Sequence, residues 1–127
     1  MGLPEHCEQI ATQIVDAAIK VHKILGPGLL ESVYQICFVH ELQRRKLRVT
    51  TGDSVAIVFE DLKIESALKL DLLVEDLIIV ELKAVEQVLP VHKAQLLSYL
   101  KLTGKRLGFL LNFNVPLMKN GIQRFVL

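Results

Sequence analysis

From about Glu5 to Leu25, apolar residues fall at Ile10, Ile14, Ala17, Ala18, Val21, Ile24 and Leu25. Steps of three and four put them on one helical face. Gly26-Pro27-Gly28 ends that helix, because glycine suits the left-handed position beyond a helix and Pro27 cannot continue the ladder. A second helix is expected from about Leu30 to Lys46, with Val33, Cys37, Phe38 and Leu42 inward. Arg44, Arg45 and Lys46 complement the dipole at its end. The texture then turns to strand. Val49 to Phe59 is rich in Val, Ile and Thr, with Gly52-Asp53 as a turn, and Leu68–Glu75 and Leu77–Ala84 flank an acidic turn at Glu75-Asp76. Pro90 suits the first residue of a third helix reaching about Thr103. Leu107 to Phe113 is a nearly unbroken apolar run, as expected of a strand covered on both faces, and a short strand is expected at Ile122–Val126. The closing strand–helix–strand passage predicts a right-handed crossover and a parallel pair. The expected fold is therefore α/β: two N-terminal helices, a β-meander, a crossover helix and a parallel strand.

Composition narrows the class. The 127 residues suit one domain, and 51% hydrophobic with 23% charged residues excludes a disordered chain. No apolar run approaches the ~20 residues of a membrane span, and Asp16, Lys20 and Lys23 interrupt the longest helix. Met1 to Glu8 lacks a basic segment followed by an apolar one, so no signal peptide is expected. Cys7 and Cys37 form no metal-spaced set and read as buried or half-buried thiols of a reducing, cytoplasmic compartment. The net charge of +1 hides an asymmetry, since residues 87–127 carry six Lys/Arg and no acid while all 14 Asp/Glu lie before them. On charge alone this reads as solvated faces.

The strand Leu77–Ala84 brings chemistry with it. Ile78, Val80 and Leu82 share one face, and Glu81 and Lys83 share the other. An acid and a lysine inside such a strand are costly to bury unless paired or bound to something. The preceding strand carries one acid, Asp71. Asp71 opposite Glu81 requires partner numbers summing to 152, hence Val74 opposite Ile78 and a three-residue loop, Glu75-Asp76-Leu77. Two converging carboxylates repel, and a shared hard cation such as magnesium or manganese relieves that. A structural ion pair between Lys83 and the two acids explains the same residues equally well. On the third helix His92, Gln95 and Tyr99 share a face, with Leu96, Leu97 and Leu100 toward the sheet. The crossover puts the start of this helix near the carboxyl end of the Glu81 strand, where α/β sites lie.

Asp71, nine residues, then Glu81-Leu82-Lys83 resembles the signature of the PD-(D/E)XK nuclease superfamily. Gln95-Leu-Leu-Ser-Tyr99 resembles the QxxxY motif of its RecB-like branch, and Gly28-Leu-Leu-Glu31-Ser-Val-Tyr34 resembles the motif of the GxxExxY family. The resemblance spans about Ile10 to Val126 and departs at Leu70, which stands where the signature has proline. It implies a restriction-endonuclease-like core, a mixed central sheet flanked by helices. It also implies hydrolysis of DNA or RNA with Mg2+ or Mn2+. By motif, Asp71, Glu81 and Lys83 would be catalytic, Asp71, Glu81 and Glu31 would hold metal, and Gln95 and Tyr99 would bind the phosphate backbone or support the metal shell. Glu31 also suits a helix start by its charge alone, and Tyr34 reads as a core aromatic. Two other readings stand beside the nuclease: a non-catalytic nucleic-acid-binding module, and an interaction protein whose polar site only holds the fold. A chain this small covers little nucleic acid, so a homodimer or a targeting partner is expected.

Overall fold

A computed structural model describes residues 2–127. Two helices come first, α1 (Glu5–Leu25) and α2 (Glu31–Arg44). Strands β1 (Val49–Thr51), β2 (Ser54–Phe59), β3 (Leu62–Lys69), β4 (Leu72–Val74) and β5 (Ile78–Lys83) follow. Helix α3 (Pro90–Thr103), β6 (Leu107–Asn112), a 3-10 turn at Met118–Gly121 and β7 (Ile122–Val126) complete the chain. Five strands form a mixed sheet in the order β1-β4-β5-β6-β7. The pair β5–β6 is parallel and its other neighbours are antiparallel, which is the expected crossover through α3.

The sheet is covered on both faces. Alternation sends Leu72, Val74, Ile78, Val80 and Leu82 toward α1 and α2, where they pack with Ile14, Phe38 and Leu42. Leu73 and Ile79 point the other way, onto Leu96, Tyr99 and Leu100 of α3. All of β6 is buried, as its unbroken apolar run predicts. A polar network pins α2 to α1. Glu41 pairs with Lys20 (3.1 Å) and Arg45 (2.9 Å), and Arg45 reaches Asp16 (2.7 Å). No helix among the described residues is long and apolar enough to cross a membrane.

Several expectations need correction. The strands do not form a simple meander. The chain leaves the sheet after β1 at Gly52 (φ 70°) and makes a separate antiparallel hairpin, β2–β3. It returns at Leu70, and bonds from Gly52 N–H to Leu70 O (3.0 Å) and from Leu70 N–H to Asp53 O (2.9 Å) close the excursion. The turn expected at Gly52-Asp53 does divide Val49–Phe59, but its two strands lie in two different sheets. The expected strand Leu68–Glu75 is likewise divided, with Leu68 and Lys69 in β3 and only Leu72–Val74 in β4. On the helices, Ile24 lies 72% exposed, and Val33 gives its inward place to Tyr34, which leads the buried stripe Tyr34–Phe38–Leu42.

Candidate active site

The β4–β5 register pairs Leu72 with Val80, Leu73 with Ile79 and Val74 with Ile78, so every pair sums to 152 and the loop is Glu75-Asp76-Leu77. The same register, continued, sets Asp71 against Glu81. Side chains replace the ladder there. The Asp71 N–H donates to Glu81 Oε2 (2.9 Å), and the Leu82 N–H donates to Asp71 Oδ2 (2.9 Å). Each carboxylate is fixed by the other's strand, and β4 begins only after Asp71, at Leu72. Each bond engages one carboxylate oxygen.

Charge accumulates around this pair. Glu81 is buried, and burial first, then the charge of Asp71, pushes its carboxyl up to about 8 against the pull of the Asp71 N–H and of Lys83. Glu31 opens α2, its carboxyl raised by burial and by Asp71 while Lys83 and His92 oppose. Tyr99 of α3 is buried, and its phenol is raised by burial and by the charges of Glu81 and Asp71. Three elements therefore converge on the carboxyl end of β5. Lys83 is half-buried, and among the described residues it forms no ion pair within 4.0 Å. The alternative of a direct Lys83 pair with the two acids is not what the fold contains. Gln95 is exposed one turn before Tyr99, and His92 caps α3 by accepting the Leu89 N–H at Nδ1 (3.0 Å).

Two contributors escaped the sequence reading. Asn112 lies beside Lys83 in the parallel ladder and is buried. Its Oδ1 accepts the Val85 N–H (3.1 Å), its Nδ2 donates to Val85 O (2.9 Å), and the Phe113 N–H donates to Lys83 O (2.9 Å). The chain leaving β5 is thus clamped on both sides of Ala84. The signal was one amide closing an otherwise apolar run. Tyr34, read as a core aromatic, also does more. Its hydroxyl donates to Gly26 O (2.6 Å) and accepts the Leu29 N–H (3.1 Å), while its ring stacks on Phe113 at 4.7 Å. It holds the loop that delivers Glu31.

The donor set suits a hard divalent cation. Two carboxyl groups side by side, whose joint ionisation burial and repulsion oppose, are what such an ion would stabilise in the ionised form. Among the described residues no three His, Cys, Asp or Glu side chains are grouped so as to hold a metal ion.

Residues 8–125 match the sequence profile of the PD-(D/E)XK nuclease superfamily. The chain belongs to that superfamily. No curated protein and no solved structure matches it. The PD-(D/E)XK assignment accounts for the mixed sheet between helices, which is the restriction-endonuclease-like arrangement. PD-(D/E)XK nucleases generally use divalent metals, in keeping with the chemistry of Asp71 and Glu81.

Proposed function

We propose that this PD-(D/E)XK protein is a metal-dependent nuclease that hydrolyses phosphodiester bonds of DNA or RNA, in the GxxExxY branch of the superfamily. The observation that carries this reading is the Asp71–Glu81 pair. The two buried-edge carboxylates are mutually braced at 2.9 Å, with Lys83 beside them and unpaired among the described residues. Gly28, Glu31 and Tyr34, with Gln95 and Tyr99, support the branch.

Asp71 and Glu81 would hold Mg2+ or Mn2+, with Glu31 at the rim. A bound ion of this kind lowers the pKa of water and stabilises charge on phosphorus. The Lys83 ammonium orients the attacking water and offsets phosphate charge, as a compact cation with three donors can. Gln95, exposed on α3, contacts the phosphate backbone. Tyr99, buried on the same helix, supports the metal shell.

The test is cleavage of a panel of single- and double-stranded DNA and RNA with Mg2+ or Mn2+, read beside melting temperature. Lys83→Ala should leave the metal-free fold and ion binding intact while cleavage falls by about 10²–10⁴-fold. Asp71→Asn should lose the stabilisation that the ion confers on the wild type. Binding without turnover across the panel would leave a non-catalytic nucleic-acid module in its place. Equal ion-dependent stabilisation in wild type and Asp71→Asn would remove the metal site itself.

A further inference from the structure

Two features lie outside this site and complement each other. The first is the β2–β3 hairpin. Its register pairs Ile57 with Ile64 and Phe59 with Leu62, so these four apolar side chains share one face. At the base, beyond a register shift between Val55 and Ile57, Val55 and Leu68 pack into the cluster around Leu96 and Tyr99. Toward the tip this face opens to solvent, with Phe59 66% and Leu62 56% exposed. The turn is Glu60-Asp61, and among the described residues neither acid forms an ion pair. A two-stranded hairpin is marginal in water, and an apolar ladder left open on one marks a contact surface.

The second feature is a groove of about 310 Å³ between α1 and α2. Ile24, Ile36 and Cys37 line its apolar part, and Lys20, His40 and Arg44 stand around it. Its one acid, Glu41, is already held by Lys20 and Arg45. Arg44 forms no ion pair among the described residues. With Lys20 paired to Glu41, the positive charge left on the rim around the apolar floor is that of Arg44.

We propose that the β2–β3 hairpin is an interaction arm whose apolar, acidic tip seats in the basic-rimmed α1–α2 groove of a second copy of this chain. Phe59 and Leu62 meet the floor, and Glu60 and Asp61 meet Arg44 and its neighbours. Nucleic acid fits the arm poorly, since two acids at its tip would face phosphates. One tip in one groove is a small contact, well below the roughly 1,000 Å² of a stable interface. Reciprocal seating doubles it and closes a two-fold dimer instead of an open chain.

The readout is mass in solution, so this inference stands or falls apart from the nuclease reading. Light scattering of the wild-type protein should give twice the single-chain mass, with association loosening as salt screens the charge pairs. Phe59→Asp changes an exposed residue. It should give single chains with unchanged circular dichroism and melting temperature. Arg44→Glu should weaken association roughly tenfold or more, and adding Glu60→Lys and Asp61→Lys in the same chain should restore it. Single chains for the wild type at every concentration would overturn the proposal. So would a dimer indifferent to Phe59→Asp, or a charge swap without recovery. Single-chain wild type whose nucleic-acid binding falls with Phe59→Asp would reassign the arm to substrate and equally overturn it.

Discussion

At Glu81, burial and a like charge act in the same direction on one carboxyl. In the fold it keeps its proton to about pH 8, against 4.5 for the free side chain. The unfolded chain therefore ionises first as pH rises. For this group the metal-free fold is strongest below about pH 4.5 and loses stability as pH rises toward 8. Glu81→Gln should flatten that part of the profile, read as melting temperature against pH in the presence of a chelator. An unchanged slope in Glu81→Gln would assign the dependence elsewhere. A divalent ion needs the ionised pair, so its affinity should climb through the same window and its binding should release a proton, measurable by calorimetry in buffers of different ionisation heat. Asp71, Glu81 and Lys83 were legible as residues because each breaks an apolar alternation. Even their register followed from parity. Asn112 was not legible as a partner, because its role comes from β6 lying parallel to β5, and no local pattern announces which strand will be the neighbour.

Among the elements, the loop between α1 and α2 is short, glycine-rich and fastened by one side chain. Gly26 and Gly28 take φ of 70° and 99°, and the Tyr34 hydroxyl bonds across them. Tyr34→Phe keeps the ring on Phe113 and removes both bonds. It should cost about 1–2 kcal/mol in chemical denaturation and speed amide exchange at Leu29, while far-UV dichroism stays the same. No change in either would mean that the ring alone holds the loop. Helical periodicity placed α2 within a residue or two, yet it chose Val33 over Tyr34 for the inward stripe. Volume and hydroxyl satisfaction decided otherwise, since Tyr34 can bury its ring and still find partners for its oxygen. The β2–β3 excursion was hidden for a different reason. Leu68 to Val74 alternates like one strand, but the bonds of Leu70 to Gly52 and Asp53 turn it out of one sheet and into another. Periodicity reports which way a side chain points and is silent on which sheet receives it.

For the whole molecule, the C-terminal end supports the site from behind. Gly121 lies so close to β6 that a Cβ there would collide with the backbone oxygen of Asn112. Gly121→Ala should destabilise the fold by about 1–3 kcal/mol, or more, read from the denaturant midpoint. Because Asn112 clamps the exit of β5, the variant should also weaken any divalent-ion stabilisation more than its fold stability alone explains. An equal loss in both would make the contact purely one of packing. At this scale the three helices, the β5–α3–β6 crossover and the layering were legible, because they follow from periodicity and strand alternation, while the separate β2–β3 sheet was not.

The mutual bracing of Asp71 and Glu81 has a kinetic consequence. They lie ten positions apart in the chain, and a hairpin of that span closes in roughly 1–10 µs. The Tyr99 helix and β6, which desolvate the pair, come from later in the chain and dock over longer loops. The two acids thus meet while still hydrated, and their repulsion becomes expensive only when the sheet is finally covered. An ion that relieves it acts after the rate-limiting barrier. In stopped-flow measurements with and without Mg2+, the unfolding rate should fall and the folding rate should hold still. A folding rate that rises with the ion would show that the dry, braced pair already exists at the barrier.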